Sequence, residues 1–205
     1  MKQVQSNLPV IPKNKRFCWG WGLILLGLVC LQISCVNQGG DAQEANVDSN
    51  SSLIIDEFRS KFESGQYLCV ISYSSECPIA KSYIKIIQSL HERYKDRVTF
   101  CLLNPGVGGK SISGLQDCVF HDPQLFICNR YGIKVYPQVV LVNCLTRKVM
   151  YAGKIDDRAV SLGVVKSKAT IPYLEMALSQ LVEKGVVHVQ SNEAIGCFVG
   201  DIGLK

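Results

Sequence analysis

The chain has 205 residues, of which 47% are hydrophobic and 19% charged, a composition typical of one folded domain of ordinary size. Its formal net charge is +5, but four positive charges precede residue 35, where no acidic residue occurs, so the rest of the chain carries 5 − 4 = +1. A nearly neutral domain lacks the basic surface that nucleic-acid binding requires, and this class of function is set aside.

Residues 1–35 have the layout of an export signal, in which basic residues precede an uncharged apolar run from residue 17 to 33. The run ends in Ser34-Cys35, which resembles the box of bacterial lipoproteins, although Gln32 replaces the usual leucine. We therefore expect lipidation at Cys35. The alternative is an uncleaved membrane anchor, because the run is at the short limit for crossing a hydrocarbon core of about 30 Å. Either anchor places the domain in the cell envelope, facing the periplasm or the exterior.

Residues 36–52 are polar, rich in Gly, Ser and Asn, and without a periodic apolar pattern, which predicts a flexible linker. The folded domain is then expected over residues 53–205. It begins with a short helix over residues 53–62, where apolar side chains recur at helical spacing.

The next three elements are predicted to form a βαβ unit. Apolar, β-rich runs over residues 67–73 and 98–103 indicate buried strands, and residues 78–94 have the apolar spacing of a helix. Because one helix joins the two strands, they should be parallel. Cys77 lies at the junction of the first strand and the helix.

The remaining elements are a helix over residues 123–131, a hairpin of strands 138–143 and 148–152, and a last helix over residues 170–184 with Thr170 as its N-cap. The order βαβ, α, ββ, α is that of the thioredoxin fold. The predicted fold class is therefore α/β, with a central mixed sheet flanked by helices.

Cys77 is the leading candidate for a functional residue. At the start of a helix, unpaired backbone N–H groups and the positive end of the helix dipole favour the thiolate, which is the reactive form of cysteine. Pro78 fits this position, because a first helical residue needs no N–H. The placement indicates redox chemistry.

The motifs resemble those of the thioredoxin-like redoxins, the group of the alkyl hydroperoxide reductase and thiol-specific antioxidant proteins. The similarity lies in residues 74–83, which include Glu76-Cys77-Pro78-Ile79-Ala80, and in residues 131–137. Residues 151–158, Leu162-Gly163 and the ending Ala194-Ile195-Gly196-Cys197 look like those of an exported bacterial subgroup. The resemblance implies that Pro137 follows a cis peptide bond and lies beside Cys77.

Two departures limit what the resemblance carries over. Thioredoxins use Cys-x-x-Cys, but Ala80 occupies the second position here, so a disulfide within one turn is impossible. Peroxiredoxins place Thr or Ser three residues before the reactive cysteine, as Ser74 does, and a proline four residues earlier, where this chain has Val70.

A second thiol must therefore come from elsewhere in the chain. We expect Cys197 to resolve a mixed disulfide or sulfenic acid on Cys77. The alternatives are Cys118 and Cys128, which could also pair with each other as a disulfide or, with His121, ligate a metal. Cys69 and Cys101 lie within strand patterns and are predicted to be small core residues.

The expected function is an extracytoplasmic thiol oxidoreductase, without a cofactor or metal, in which Cys77 is the nucleophile and Cys197, Pro137 and Ser74 complete the site. Its expected substrates are protein thiols or disulfides, or peroxide. Two alternatives stay open: a peroxiredoxin-like peroxidase, and a non-catalytic binding or assembly module that keeps the thioredoxin fold. The patterns assign no substrate, electron donor or oligomeric state.

Overall fold

The computed structural model describes residues 41–106 and 112–200. The predicted signal segment, the predicted lipidation site Cys35 and the beginning of the predicted linker lie outside these ranges. The helices are α1 (Asp41–Phe62), α2 (Pro78–Ser82), α3 (Ile84–Tyr94), α4 (Phe126–Tyr131) and α5 (Tyr173–Lys184). The strands are β1 (Tyr67–Ser72), β2 (Thr99–Asn104), β3 (Val119–His121), β4 (Val135–Tyr136), β5 (Val139–Asn143), β6 (Lys148–Gly153), β7 (Ala159–Ser161), β8 (Val164–Val165) and β9 (Cys197–Phe198).

The central sheet has five strands in the order β3–β2–β1–β5–β6. Its middle strand, β1, runs parallel to β2, with Val70 opposite Cys101, and antiparallel to β5, with Val70 opposite Val140. β3 is parallel to β2, and β6 is antiparallel to β5. A βαβ unit followed by a β-hairpin in one sheet is the thioredoxin fold, and the predicted fold class is confirmed.

Each face of the sheet is covered by its own apolar cluster, which explains why the inner strands are continuous hydrophobic runs. All six residues of β1 are buried, and successive side chains point to opposite faces. Leu68 and Val70 pack in the cluster that includes α1 and α4, whereas Cys69 and Ile71 pack in the one that includes α3 and α5. Cys77 belongs to the second cluster.

The structure differs from the sequence-based prediction at the beginning of the domain. Residues 41–52 belong to α1, although their composition predicted a flexible linker. The segment contains no proline or glycine and begins with good helix formers, so helix propensity is sufficient where apolar periodicity is missing. The helix predicted over residues 78–94 is in fact two helices, because α2 ends at Tyr83, whose N–H donates to the carbonyl of Ala80.

The last helix begins later than predicted, at Tyr173, and its N-cap is Pro172. Thr170 therefore does not cap it. Instead, the backbone N–H of Thr170 and that of Ile171 donate to Asp157 Oδ1, at 2.7 and 2.9 Å. This aspartate holds the segment that leads into α5.

Two small antiparallel pairs were not predicted. β7 and β8 form a hairpin, and β4 pairs with β9, the strand that contains Cys197. Strands of two or three residues are too short for an apolar period to be visible in the sequence. Over the described ranges, no helix is long and apolar enough to cross a membrane.

Candidate functional site

Cys77 lies at the junction between β1 and α2, where the sequence predicted it. It is the N-cap of α2, with an extended backbone (φ −85°, ψ 115°), and Pro78 is the first helical residue. Its Sγ accepts a hydrogen bond from the backbone N–H of Ala80 at 3.5 Å. The side chain is fully buried, at 0% exposure. The sulfur thus faces a helix-start N–H donor but has no contact with solvent.

The carbonyl of Tyr136 meets this sulfur from the opposite side. The Cys77 thiol donates to Tyr136 O at 3.4 Å. The peptide bond between Tyr136 and Pro137 is cis, as the resemblance implied. Tyr136 is the last residue of β4 and Pro137 follows it before β5, so the fold brings this peptide to the start of α2.

Cys197 completes the cluster from the C-terminal segment. In the β4–β9 pair its Cα is opposite that of Tyr136, the residue whose carbonyl contacts Cys77. Cys197 packs against the apolar cluster that contains Cys77, and both thiols are free. Burial, and after it the proximity of the Cys77 side chain, raises the pKa of Cys197 to about 12. The structure therefore brings together the two cysteines that the sequence analysis paired.

Gly196 makes this approach possible. A Cβ at this position would lie 1.8 Å from the carbonyl oxygen of Tyr136 and 2.5 Å from its carbonyl carbon, so no larger residue fits without a backbone shift. After Cys197, the N–H of Val199 donates to the carbonyl of Lys134 at 2.9 Å. β9 is thus held against β4 on both sides of the cysteine.

Further upstream, the C-terminal segment is fastened to the edge of β6. The N–H of Asn192 donates to the carbonyl of Ala152 at 3.0 Å, and Asn192 Oδ1 accepts from the N–H of Lys154 at 2.9 Å. Ser191 Oγ accepts from the N–H of Ala152 at 3.0 Å. We call residues 191–199 the C-terminal strap. Its contacts with β6 and β4 determine where Cys197 lies.

Ser74 has a local role in the turn before Cys77. Its buried hydroxyl accepts from the N–H of Glu76 at 3.1 Å, and its carbonyl accepts from the N–H of Cys77 at 3.2 Å. Both bonds shape the turn that presents Cys77 to α2. A cleft of about 570 Å³ lies beside this turn, and Tyr73, Glu76 and Lys81 are among the residues that line it.

The other cysteines lie apart from this cluster. Cys69 and Cys101 are fully buried, as predicted, and burial raises the pKa of both thiols. Cys118 packs against the cluster of α3 and α5, with its Sγ 3.5 Å from His91 Nε2, whereas Cys128 is buried in the cluster of α1 and α4. Both are free, and they lie in the clusters on opposite faces of the sheet, so the structure does not bring Cys118 and Cys128 together. Within the described residues, no three His, Cys, Asp or Glu side chains are grouped to hold a metal ion.

Part of the site was not visible in the sequence. The Tyr136 carbonyl is a backbone group, which every residue has, and the side chain of Asn192 binds the backbone N–H of Lys154, so neither contact leaves a distinctive pattern in the sequence. Gly196 next to Cys197 was the only signal of a close approach.

Tyr83 and Arg158 were also missed. The Tyr83 hydroxyl donates to the buried carboxylate of Asp156 at 2.6 Å, and Arg158 Nε lies 2.8 Å from the same carboxylate, so a buried polar group fixes the residue between α2 and α3.

No family model matches the chain, and no curated protein matches it. Among solved structures, it is similar to a hypothetical protein from Sinorhizobium meliloti 1021, with a TM-score of 0.56 and 17% identity over 68% of this chain and 82% of that one. It is also similar to an uncharacterized conserved protein from Geobacillus kaustophilus, with a TM-score of 0.52 and 18% identity over 67% of this chain and 78% of that one. The match to the pneumococcal exposed lipoprotein thioredoxin from Streptococcus pneumoniae strain TIGR4 has a TM-score of 0.36 and 15% identity over 45% of this chain and 76% of that one. The first two likenesses concern the fold alone.

Proposed function

We propose that the protein is an extracytoplasmic thiol–disulfide oxidoreductase of the thioredoxin-like redoxin type, whose redox couple is Cys77 and Cys197. One observation carries the proposal: both cysteines converge on Tyr136. The Cys77 thiol donates to its carbonyl, and Cys197 is its partner in the β4–β9 register. A second thiol far along the chain thereby replaces the one that Ala80 fails to supply.

The reaction of this couple is a two-electron exchange. When the Cys77–Cys197 bond forms, the two thiols lose two electrons and two protons; when it opens, two substrate thiols supply them. Cys77 is the internal nucleophile that closes the bond, because the N–H of Ala80 already donates to its sulfur as it would to a thiolate. Ser74 and the Tyr136–Pro137 peptide act as positioning groups.

The proposed location follows from the N-terminal sequence. Basic residues and the apolar run from 17 to 33 direct export, and Cys35 receives a lipid that holds the domain at a membrane. Disulfide exchange suits such a compartment, because cytosolic thiols are kept reduced. In cells that express the full chain, Cys35→Ser is expected to move the protein out of the membrane fraction. Full retention would favour an uncleaved anchor.

Disulfide mapping tests the redox couple. The full chain is oxidised with glutathione disulfide, blocked with a maleimide and analysed by peptide mass spectrometry without reduction. We expect a Cys77–Cys197 linkage, which both Cys77→Ser and Cys197→Ser abolish. Cys144→Ser is the matched control, because Cys144 is also a partly exposed free cysteine but lies in the β5–β6 turn. A protein in which Cys77 stays free, or links elsewhere, would refute the couple.

Turnover is tested by oxidation of a peptide dithiol with glutathione disulfide as acceptor, where the wild type should accelerate the reaction and Cys77→Ser should not. Two other outcomes count against the proposal. Sulfenic acid on Cys77 that forms with stoichiometric peroxide faster than on free cysteine would indicate a peroxidase. A linkage that forms without any acceleration of exchange would indicate a non-catalytic module.

A further inference from the structure

The two cysteines of the proposed couple differ sharply in their access to solvent. Cys77 is fully buried, whereas Cys197 is partly exposed. The cleft beside the active-site turn does not change this, because Cys77 is not among the residues that line it. Because Cys197 packs against the cluster that contains Cys77 and is itself partly exposed, a thiol that arrives from solution meets Cys197 first.

We infer that Cys197 is the sulfur that reacts with substrate, and that the substrates are thiols, whose electrons enter the oxidised protein at Cys197 while Cys77 is the leaving group. This inference rests on the proposed Cys77–Cys197 couple. It reverses the order expected from the sequence, in which Cys77 attacks the substrate and Cys197 resolves.

The geometry of thiol–disulfide exchange gives the physical reason. The incoming thiolate attacks one sulfur of the disulfide, the new S–S bond joins it to that sulfur, and the other sulfur leaves with the electron pair. Attack at Cys77 requires access to a residue with 0% exposure. Attack at Cys197 requires no local opening, because this residue is partly exposed. It expels the sulfur of Cys77, which already accepts a hydrogen bond from the N–H of Ala80 at 3.5 Å. The sulfur that leaves is thus the one with a hydrogen-bond donor in place.

Two substrate thiols together supply the two electrons and two protons that the protein disulfide takes up. The first loses its proton and forms a mixed disulfide with Cys197, while Cys77 leaves as a thiolate that then takes up a proton. The second attacks the sulfur of the first substrate, so a substrate disulfide is released and Cys197 takes up a proton. Two electrons pass from two thiols to one protein disulfide.

Trapping of the mixed disulfide tests the inference in the wild-type chain, so no variant needs to fold. The protein is oxidised with glutathione disulfide, freed of excess reagent, mixed with reduced glutathione and quenched with excess N-ethylmaleimide in guanidinium, so that the maleimide also reaches buried thiols. We expect glutathione on Cys197 and the maleimide on Cys77, in at least about tenfold excess over the reverse pattern, because exposure of Cys77 to glutathione requires local opening. When the reaction with glutathione is itself carried out in guanidinium, the ratio should approach one.

The outcomes separate the two proposals. If the Cys77–Cys197 linkage does not form in the oxidation step, the proposed function fails. If the linkage forms but half or more of the trapped glutathione is on Cys77, the couple stands and Cys197 is not the substrate-facing sulfur.

Discussion

At the scale of single residues, the site depends on a position without a side chain. Gly196 comes directly before β9 and lies against the peptide between Tyr136 and Pro137. An added Cβ would overlap with backbone atoms of this peptide, which cannot rotate away. The neighbouring Cys197 reaches Cys77 only because this approach is so close. The distance between the two sulfur atoms is thus controlled by a backbone contact one residue away.

Gly196→Ala tests this control. The 1.8 Å approach of the new Cβ to Tyr136 O forces β9 away from β4, and we expect the Cys77–Cys197 disulfide to form more than about tenfold more slowly, the equivalent of 1.4 kcal/mol. The rate is measured by quenching with a maleimide at timed intervals after addition of glutathione disulfide. Gly163→Ala is the matched control, since its Cβ meets nothing within 4 Å and only the positive φ of +80° costs about 1 kcal/mol of stability. Equal rates in the two variants would contradict the role of Gly196.

At the scale of elements, the C-terminal strap has few residues in regular secondary structure. Its position depends on hydrogen bonds to β6. Asn192 is its main fastening, because its side chain accepts from Lys154 N–H and donates to the Tyr151 hydroxyl, at 2.9 and 3.3 Å. Such a segment opens locally at a lower cost than the core does. We expect opening of the strap to be the route by which Cys77 becomes accessible.

Asn192→Ala should therefore expose Cys77 more often. Loss of two hydrogen bonds at about 1 kcal/mol each lowers the free energy of opening, and alkylation of Cys77 by iodoacetamide should accelerate roughly tenfold or more. Peptide mass spectrometry follows the reaction of each cysteine separately. Asn143→Ala is the matched control, because it removes a side-chain hydrogen bond to Thr146 N–H in the β5–β6 turn. An unchanged rate at Cys77 would show that Asn192 does not fasten the strap.

The start of α5 depends on a second fastening, Asp157. Hydrogen bonds from the Thr170 hydroxyl, from Ile171 N–H and from Lys166 hold the pKa of Asp157 well below its usual range. A carboxylate whose pKa is lower in the folded than in the unfolded state contributes stability above the unfolded value of 3.8, and this contribution is lost as the pH falls toward the folded value.

We expect Asp157→Asn to flatten this acid dependence. Between about pH 5 and about pH 2, the wild type should lose more of its free energy of unfolding than the variant does, because only the wild type must protonate this group. Urea titrations at several pH values give the two slopes. Asp96→Asn, at an exposed aspartate after α3, is expected to keep the wild-type slope. Parallel curves for wild type and Asp157→Asn would rule out the role of this carboxylate.

The same elements show how far the sequence could predict the structure. The strands over residues 67–73 and 98–103 were found because burial on both faces makes nearly every position apolar. The helical structure of residues 41–52 and the pairing of β4 with β9 were not found, because neither depends on a local apolar period. Cys197 was selected as a partner of Cys77, but the full burial of Cys77 depends on distant contacts such as that with the carbonyl of Tyr136, 59 positions further along the chain, which no local pattern encodes.

At the scale of the whole molecule, the sheet separates the site from the larger aromatic contacts. Phe58 is fully buried between Phe62 and Phe120, with ring centroids 5.3 and 5.1 Å away, on the face covered by α1 and α4. Cys77 packs on the other face. The free energy of folding and the geometry of the site are therefore expected to respond to different residues.

Phe58→Ala tests this separation. Truncation of a buried phenylalanine should lower the free energy of unfolding by about 3–5 kcal/mol, as measured by urea titration. Because the sheet lies between this cavity and the site, the rate of Cys77–Cys197 disulfide formation in the folded variant should change less than about twofold. Leu53→Ala in the same helix is the control, since Leu53 is 68% exposed and should change stability by no more than about 0.5 kcal/mol. A large change in disulfide rate at unchanged fold would mean that α1 reaches the site through the sheet, and the two faces would then have to be treated as one cooperative unit.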